Sequence, residues 1–112
     1  MSELYAESSP KLQARRKELA PEQLNAFHEF SRRVFAEGAL STHVKQLIAV
    51  AVAHATQCPY CIRGHTQAAV RAGATDEEIM EAIWVAAEMR AGAAFAHSTI
   101  TLDTLEKTRP GA

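Results

Sequence analysis

Most of the chain is rich in alanine, with larger apolar residues at helical spacing. A charged segment with a narrow apolar seam predicts a first helix over 10–19, and a stronger apolar stripe predicts a second helix from Pro21 to a C-cap at Gly38. A third helix, from about His43 to Ala55, is apolar nearly all round, and we therefore expect it to be buried. The first half of the chain thus indicates an all-helical fold.

The next segments continue this helical pattern. Pro59 suits the first position of a fourth helix that runs to about Arg71 and is ended by Gly73. The segment from Thr75 to Glu78 has the spacing of a capping box, which marks the start of a fifth helix.

Small residues dominate the segment from 82 to 96, so we expect it to pack closely against a neighbouring helix, within the subunit or across an interface. Gly92 within this segment is expected to bend or split the helix. A final helical stretch then runs from about Phe95 to Glu106.

Chain length limits the number of domains. At 112 residues, of which 47% are hydrophobic, the chain fits one domain, and it is small enough that oligomerisation would add substantially to its stability. We predict a flexible arm at 1–9, an all-α, single-domain bundle of about six helices at 10–108, and a C-terminal tail at 109–112.

Charge and hydropathy argue against two classes of partner. Twelve basic and thirteen acidic residues leave a formal charge of −1, without the basic stripe that neutralises phosphates, so we expect no nucleic acid partner. The longest apolar stretch, 47–53, falls far short of the roughly 20 residues that cross a bilayer, and the acidic start of the chain does not fit a secretion signal. We therefore expect a cytoplasmic protein with no membrane partner.

The residues suited to chemistry lie in segment 58–65, CPYCIRGH, which holds both cysteines of the chain. In a reducing cytosol, a C-x-x-C pair is more often redox-active or metal-binding than structural. The predicted helix start places Cys58 at the N-cap and Cys61 in the first turn, where unpaired N–H groups favour thiolate. His65 follows Cys61 by four residues and shares its helical face, so it is close enough to exchange a proton with that thiol.

Two other chemistries remain open on the residues alone. Cys58, Cys61, His65 and His54 would supply two sulfur and two nitrogen ligands to zinc in a scaffolding oligomer, although structural zinc sites usually draw a ligand pair from a distant segment. A non-redox enzyme of the decarboxylase type would instead use a histidine such as His65, His54 or His97 as an acid or base. We expect no bound metal and no cofactor.

Three segments give the chain a resemblance to a known family. The segments KQLIAV at 45–50, CPYCIRGH at 58–65 and AGATDEEI at 72–79 resemble the carboxymuconolactone decarboxylase and alkyl hydroperoxidase D-like family, and the resemblance covers about residues 22–105. It implies an all-helical fold, assembly into trimers or hexamers, and reduction of small peroxides by a thiol pair. A reducing dithiol protein would regenerate that pair.

The resemblance also implies roles for individual residues. Cys61 falls on the nucleophile that attacks the peroxide, Cys58 on the thiol that resolves it as a disulfide, and His65 on the histidine of a proton relay. Gln46 stands where the relay of the family has a glutamate, and an amide can orient a histidine but cannot take its proton. Either His54, on the same face of the third helix as Gln46, compensates for this difference or the relay is weaker.

Overall fold

A computed structural model describes residues 4–109, and the regular secondary structure of this part is entirely helical. The prediction of a single-domain, all-helical fold is confirmed. Residues 1–3 of the predicted arm and all of the predicted tail except Arg109 lie outside the described residues. The helices are α1 (Pro10–Leu19), α2 (Pro21–Phe35), α3 (Thr42–Thr56), α4 (Pro59–Arg71) and α5 (Asp76–Thr108).

The last helix, α5, is a continuous helix of 33 residues, so the predicted split at Gly92 does not occur, and the described residues form five helices where about six were predicted. A glycine inside a helix costs only about 1 kcal/mol relative to alanine, and the alanines on both sides of Gly92 favour helix strongly. At a rise of 1.5 Å per residue, α5 extends for about 50 Å. Within residues 4–109, however, no helix combines the length and the apolarity that crossing a membrane requires.

Local hydrogen bonds mark the starts of α3, α4 and α5. The hydroxyl of Ser41 accepts the N–H of Val44 at the start of α3, and the sulfur of Cys58 caps α4. Thr75 and Glu78 accept each other's backbone N–H groups, which completes the predicted capping box of α5. Caps of this kind each stabilise a helix by roughly 1 kcal/mol. The N-cap predicted at Cys58 and the predicted capping box of α5 are therefore confirmed.

The C-terminus of α2 lies at Phe35, three residues before the predicted C-cap. The hydroxyl of Thr42 donates to the carbonyl of Phe35 at 2.7 Å, and Nζ of Lys45 donates to the carbonyl of Ala36 at 2.6 Å. These side chains from α3 satisfy carbonyls that the end of α2 leaves free. The helix therefore ends without a glycine.

The core lies where α3 packs between α4 and the first half of α5. Val50 of α3 and Ala69 of α4 have no exposed surface, and Ile79 of α5 packs with them. The small side chain of Ala69 permits close approach of α3 and α4. This packing fixes the start of α4, and with it the cysteine pair, relative to α3.

The opposite face of α3 does not match the expectation of a helix buried on all sides. Ile48 and Val52 are 47% and 53% exposed, because α2 covers this face only in part. An apolar surface all round a helix indicates that the helix is shielded from water. It does not show whether residues of the same chain provide that shielding. The uncovered face becomes one wall of the cavity described below.

The second half of α5 projects from the rest of the molecule. We call residues 87–108 the α5 projection; no residue of it is fully buried, and its apolar side chains are largely exposed, with Phe95 at 80%. The radius of gyration is 19.8 Å, whereas a compact domain of this length has about 13 Å. The described residues thus leave a long apolar helix in contact with water.

His43 ties the start of α3 to the junction between α4 and α5. Its Nδ1 lies 3.1 Å from the carbonyl oxygen of Ala72, and its Nε2 lies 3.2 Å from the carboxylate of Glu78. Both partners are acceptors, so both ring nitrogens donate only when the imidazole is protonated. The Ala72 carbonyl first, and then Glu78, raise the pKa of His43 above its ordinary value of 6.5. The pKa of Glu78 is lowered from 4.5, chiefly by the backbone of Thr75 and then by His43.

We expect this bridge to make stability depend on pH. The contribution of His43 is complete below its unfolded pKa, near 6.5, and is lost as the pH rises through the higher folded value. The contribution of Glu78 is present above about 4.5 and is lost as the pH falls through its lowered folded pKa. The thermal unfolding midpoint of His43→Gln should therefore lie below that of the parent at about pH 6 and approach it at about pH 9. Equal losses at both pH values would contradict a charged bridge.

Candidate active site

A tight turn between α3 and α4 presents the two cysteines. Gln57 closes α3 in the left-handed conformation, with φ of 58° and ψ of 42°. The next N–H, that of Cys58, donates to the carbonyl of Ala53 at 3.2 Å. The guanidinium of Arg90 in α5 donates to the carbonyl of Ala55, which supports the end of α3 from the other side. Cys58 is thereby held directly at the first turn of α4.

Both cysteines are free thiols and half-buried. The sulfur of Cys58 accepts the backbone N–H of Cys61 at 3.3 Å. A hydrogen bond from the Cys61 side chain, and then the N–H groups of Cys61 and Tyr60, lower the pKa of Cys58 from its ordinary value of 9.0. The same side-chain bond, together with burial, raises the pKa of Cys61. The first proton lost by the pair therefore leaves its charge mainly on Cys58.

This order differs from the expectation of a resting thiolate at Cys61. A side chain at the N-cap reaches over the first turn and accepts N–H groups that have no partner in the helix. Cys61 lies inside that turn, next to the charge that Cys58 acquires. The spacing of the cysteines placed both thiols near the helix start. The side-chain bond from Cys61 to Cys58, and then the N–H groups that Cys58 accepts at the cap, separate their acidities.

We expect Cys58 to be alkylated at lower pH than Cys61. The reduced protein would be treated with iodoacetamide over a pH series, and fragment-ion mass spectrometry would locate the label on each cysteine. When each rate is scaled to its own plateau at high pH, the midpoint for Cys58 should lie below that for Cys61, because only the thiolate reacts. A lower midpoint for Cys61 would contradict the cap argument.

Cys61 and His65 lie at the edge of an open, mainly apolar cavity of about 400 Å³. Its walls come from α2 and α3, and its volume is within the usual range of small-molecule sites. Among the described residues that line it, only Lys45 carries a charged side chain, and its Nζ donates to the carbonyl of Ala36. The principal apolar lining residues are Val34, Phe35, Ile48 and Val52. The cavity, which we call the thiol cavity, can hold a small organic molecule beside the Cys61 sulfur.

The orientation of His65 is set by Gln46 and Phe35. Nδ1 of His65 lies 2.9 Å from Oε1 of Gln46, a residue only 7% exposed. An amide oxygen can only accept, so the hydrogen of the neutral ring is on Nδ1 and Nε2 is left as a proton acceptor. The ring of Phe35 stacks on the imidazole, with centroids 5.2 Å apart and an angle of 29° between the planes. Gln46 therefore orients the histidine, as the sequence predicted an amide would.

His54 is not brought into this arrangement. It does not line the thiol cavity, and its Nδ1 lies 2.8 Å from the carbonyl of Val50, one turn earlier in its own helix. Among residues 4–109, no three histidine, cysteine or acidic side chains converge as metal ligands would. Of the five site residues predicted from the sequence, the structure thus groups Gln46, Cys61 and His65 with Cys58 beside them.

Of the residues that line the cavity, the sequence predicted only Cys61 and His65 as site residues. None of the lining residues of α2 and α3, Phe35 and Lys45 among them, was given a part in the site. A signal existed for α3, because its lining residues recur at helical spacing: Lys45, Ile48, Ala49, Val52 and Thr56. The position of Phe35 against His65 depends on how α2 crosses α3, which no local pattern contains.

Comparison with known proteins adds a family and a set of relatives. The sequence profile of the carboxymuconolactone decarboxylase family matches residues 21–103. An uncharacterised protein in the cox locus of Paracoccus denitrificans is 64% identical over 83 residues, which are 74% of this chain and 75% of that protein. An uncharacterised protein of Cupriavidus necator is 36% identical over 72 residues, or 64% of each chain. The profile match includes every residue of the candidate site.

Solved structures show the same fold. A protein from Methanobacterium thermoautotrophicum superposes with a TM-score of 0.70 at 39% identity, over 75% of this chain and 94% of that one. A carboxymuconolactone decarboxylase family protein from Legionella pneumophila gives a TM-score of 0.69 at 33% identity, over 87% of each chain. The helical arrangement around the cysteine pair is therefore shared with proteins of known structure.

Proposed function

The chain belongs to the carboxymuconolactone decarboxylase family, and on that premise we propose that it is a thiol-dependent peroxidase with Cys58 and Cys61 as its redox pair. One observation carries the proposal. A free thiol, that of Cys61, shares an apolar cavity with His65, whose Nε2 is kept as a proton acceptor by Gln46. A thiol, a base and a pocket for a small organic molecule are the parts that peroxide reduction requires.

The first step oxidises Cys61. Its proton passes to Nε2 of His65, directly or through one water, and the thiolate attacks the terminal oxygen of an organic hydroperoxide. The O–O bond breaks and the sulfur, oxidised by two electrons, becomes a sulfenic acid. The alkoxide that leaves takes the proton from the imidazolium and departs as an alcohol. The apolar lining of the cavity favours a peroxide that carries an organic group.

The second step resolves the sulfenic acid. Cys58, whose pKa is lowered, is the more readily ionised thiol of the pair, and its thiolate attacks the sulfur of Cys61. The S–O bond breaks, and hydroxide takes up a proton and leaves as water. In sum, two thiols and one hydroperoxide give a disulfide, an alcohol and water. A reducing dithiol protein then returns the pair to its thiol form.

Mass spectrometry tests this proposal. One equivalent of cumene hydroperoxide added to the reduced protein should remove two hydrogens and join Cys58 to Cys61 in a disulfide. An excess of dithiothreitol should restore the original mass. A stable sulfinic acid at Cys61 without a disulfide would contradict the resolving role of Cys58. An unchanged mass would contradict the peroxidase proposal.

The proposal includes a homo-oligomer, a trimer or a hexamer. Its support is the α5 projection, which exposes apolar side chains such as Phe95, Ile100 and Leu102 along a helix that its own chain leaves uncovered. A second copy would remove this surface from water, and stable interfaces bury roughly 1,600 Å² in total. Light scattering coupled to size-exclusion chromatography measures the subunit count, and a monomer at micromolar concentration would rule the assembly out.

A further inference from the structure

Helix α4 separates two cavities. Cys61 and His65 lie on the face that lines the thiol cavity. Tyr60, Arg63, Gly64 and Gln67 recur at helical spacing on another face and line a second, larger cleft. This cleft has a volume of about 1,240 Å³ and is bounded by residues of the N-terminal arm, α1 and α4. Both spaces therefore adjoin the short segment that carries the cysteine pair.

The lining of the second cleft is basic. Among residues 4–109, Arg15 and Arg16 of α1 and Arg63 of α4 line it together with one carboxylate, that of Glu7, and we call it the arginine cleft. Arg15 lies 3.6 Å from Glu18, an exposed pair that neutralises little of its charge. In residues 4–109, neither Arg16 nor Arg63 forms an ion pair or a side-chain hydrogen bond. The cleft is thus a concave surface of positive potential.

Tyr60 connects the arginine cleft to the thiols. It stands between the two cysteines in the sequence, lines the cleft, and donates its hydroxyl to the carbonyl of Ala6 at 2.6 Å. The ring of Tyr5 meets the ring of Tyr60 edge-on, with centroids 6.1 Å apart. Further along α4, a Cβ placed on Gly64 would meet nothing within 4 Å, so the helix surface there is open to close approach. A molecule seated in the cleft lies along the helix that begins at the redox pair.

We propose that the arginine cleft is the docking surface for the reducing dithiol protein, and that this protein presents an acidic segment to it. The inference rests on the proposed peroxidase function, which requires such a reductant. Three guanidinium groups complement a run of carboxylates, and Arg pairs with carboxylates in bidentate geometry. The cleft is larger than the roughly 300–1,000 Å³ of most small-molecule sites, and its open shape suits a peptide segment.

Docking would precede thiol–disulfide exchange. One thiolate of the partner attacks a sulfur of the Cys58–Cys61 disulfide, and the other sulfur of that bond leaves as a thiolate. The second thiol of the partner, once ionised, then attacks the partner's own sulfur in the mixed disulfide. The bond between the two proteins breaks, and the sulfur of this protein leaves as a thiolate. Two electrons pass to this protein, whose cysteines become thiols after taking up protons, and the partner is left as a disulfide. Charge complementarity would accelerate the encounter without changing this chemistry.

The experiment compares two synthetic dithiol peptides with the same Cys-x-x-Cys core, one flanked by glutamates and one by lysines. The protein is first oxidised with diamide, so that its disulfide is present whether or not it reduces peroxides. At low ionic strength the acidic peptide should reduce it at least about ten times faster than the basic one, and salt should shrink the difference. Dithiothreitol gives the intrinsic reducibility of the disulfide.

Two arginines of α4 provide a matched pair of variants. Arg63→Gln removes a cleft charge and should slow reduction by the acidic peptide about three- to tenfold, while reduction by dithiothreitol is unchanged. Arg71→Gln changes the net charge equally, but it lies at the far end of α4, outside the cleft, and should behave as the parent. Equal rates for the two peptides, or equal losses in the two variants, would overturn the docking surface. Failure of the reduced parent protein to form its disulfide when a hydroperoxide is added would instead contradict the peroxidase proposal.

Discussion

Replacing Cys61 by serine is expected to abolish consumption of an organic hydroperoxide, with a fall in the second-order rate constant on the order of 10³-fold or more. A serine hydroxyl is not ionised at neutral pH and does not form a sulfenic acid, whereas Cys61 is the thiol that lines the thiol cavity beside His65. The rate of peroxide loss with reduced protein in excess measures this. If the variant kept more than about a tenth of the parent rate, a residue other than Cys61 would be the nucleophile.

Cys58→Ser provides the contrast. Serine is a good N-cap, so α4 should still form. Cys61 should react once, consume one equivalent of hydroperoxide and stop at a sulfenic acid that dimedone traps, because no resolving thiol is present. If Cys58→Ser were inert and Cys61→Ser reacted once, the two roles would be exchanged. A double serine variant that still converted a lactone substrate would point instead to the non-redox chemistry of a decarboxylase.

Loss of the imidazole is expected to have the next largest effect. His65→Gln should lower the rate constant for hydroperoxide by about 10²-fold or more, the usual range for removal of a general acid or base. In the proposed mechanism, Nε2 of His65 is the acceptor that takes the Cys61 proton and returns it to the leaving alkoxide. The single-turnover rate of the reduced protein measures the effect. His28→Gln, an exposed histidine on α2, is the matched control, and equal rates for the two variants would contradict a catalytic histidine.

Variants of Gln46 separate orientation from charge. Gln46→Leu would leave the Nδ1–H of His65 without its acceptor and should slow the reaction by misorienting the ring. Gln46→Glu would place a carboxylate at the same point, which stabilises the imidazolium formed during the reaction and should raise the rate above that of the parent. His54→Gln tests whether His54 compensates for the missing relay glutamate. A fall in rate would indicate that His54 takes part in the relay.

Local chemistry accounts for the parts of the fold that the sequence predicted well. The caps at Cys58 and Thr75 depend on residues within one turn, so spacing was enough to place them. The error at Gly92 has a different origin, since the modest cost of one glycine is small against the alanines that surround it. The exposed face of α3 was missed because helical apolarity does not reveal which neighbour covers it.

Some features of the candidate site could likewise be predicted from local sequence, whereas others depend on packing between helices. The shared face of Cys61 and His65 followed from their four-residue spacing in one helix. The bond from His65 to Gln46 joins α4 to α3, and only the family resemblance suggested it. The order of the two thiol pKa values required the N-cap geometry of Cys58, which lets its sulfur face the N–H groups. Sequence spacing thus identified Cys58, Cys61 and His65, the family resemblance identified Gln46, and packing between helices determines how these residues are arranged.

The α5 projection has a consequence for the folding of the chain. Most helical stability in proteins comes from packing an apolar face. Within residues 4–109, the apolar side chains of the projection are largely exposed, although Arg90 at its start is bonded to the carbonyl of Ala55. If another copy covers it, as proposed, formation of the last turns of α5 and association are one equilibrium. The helical content of the chain then depends on its concentration, and dilution would fray the helix from its C-terminal end toward Ala86.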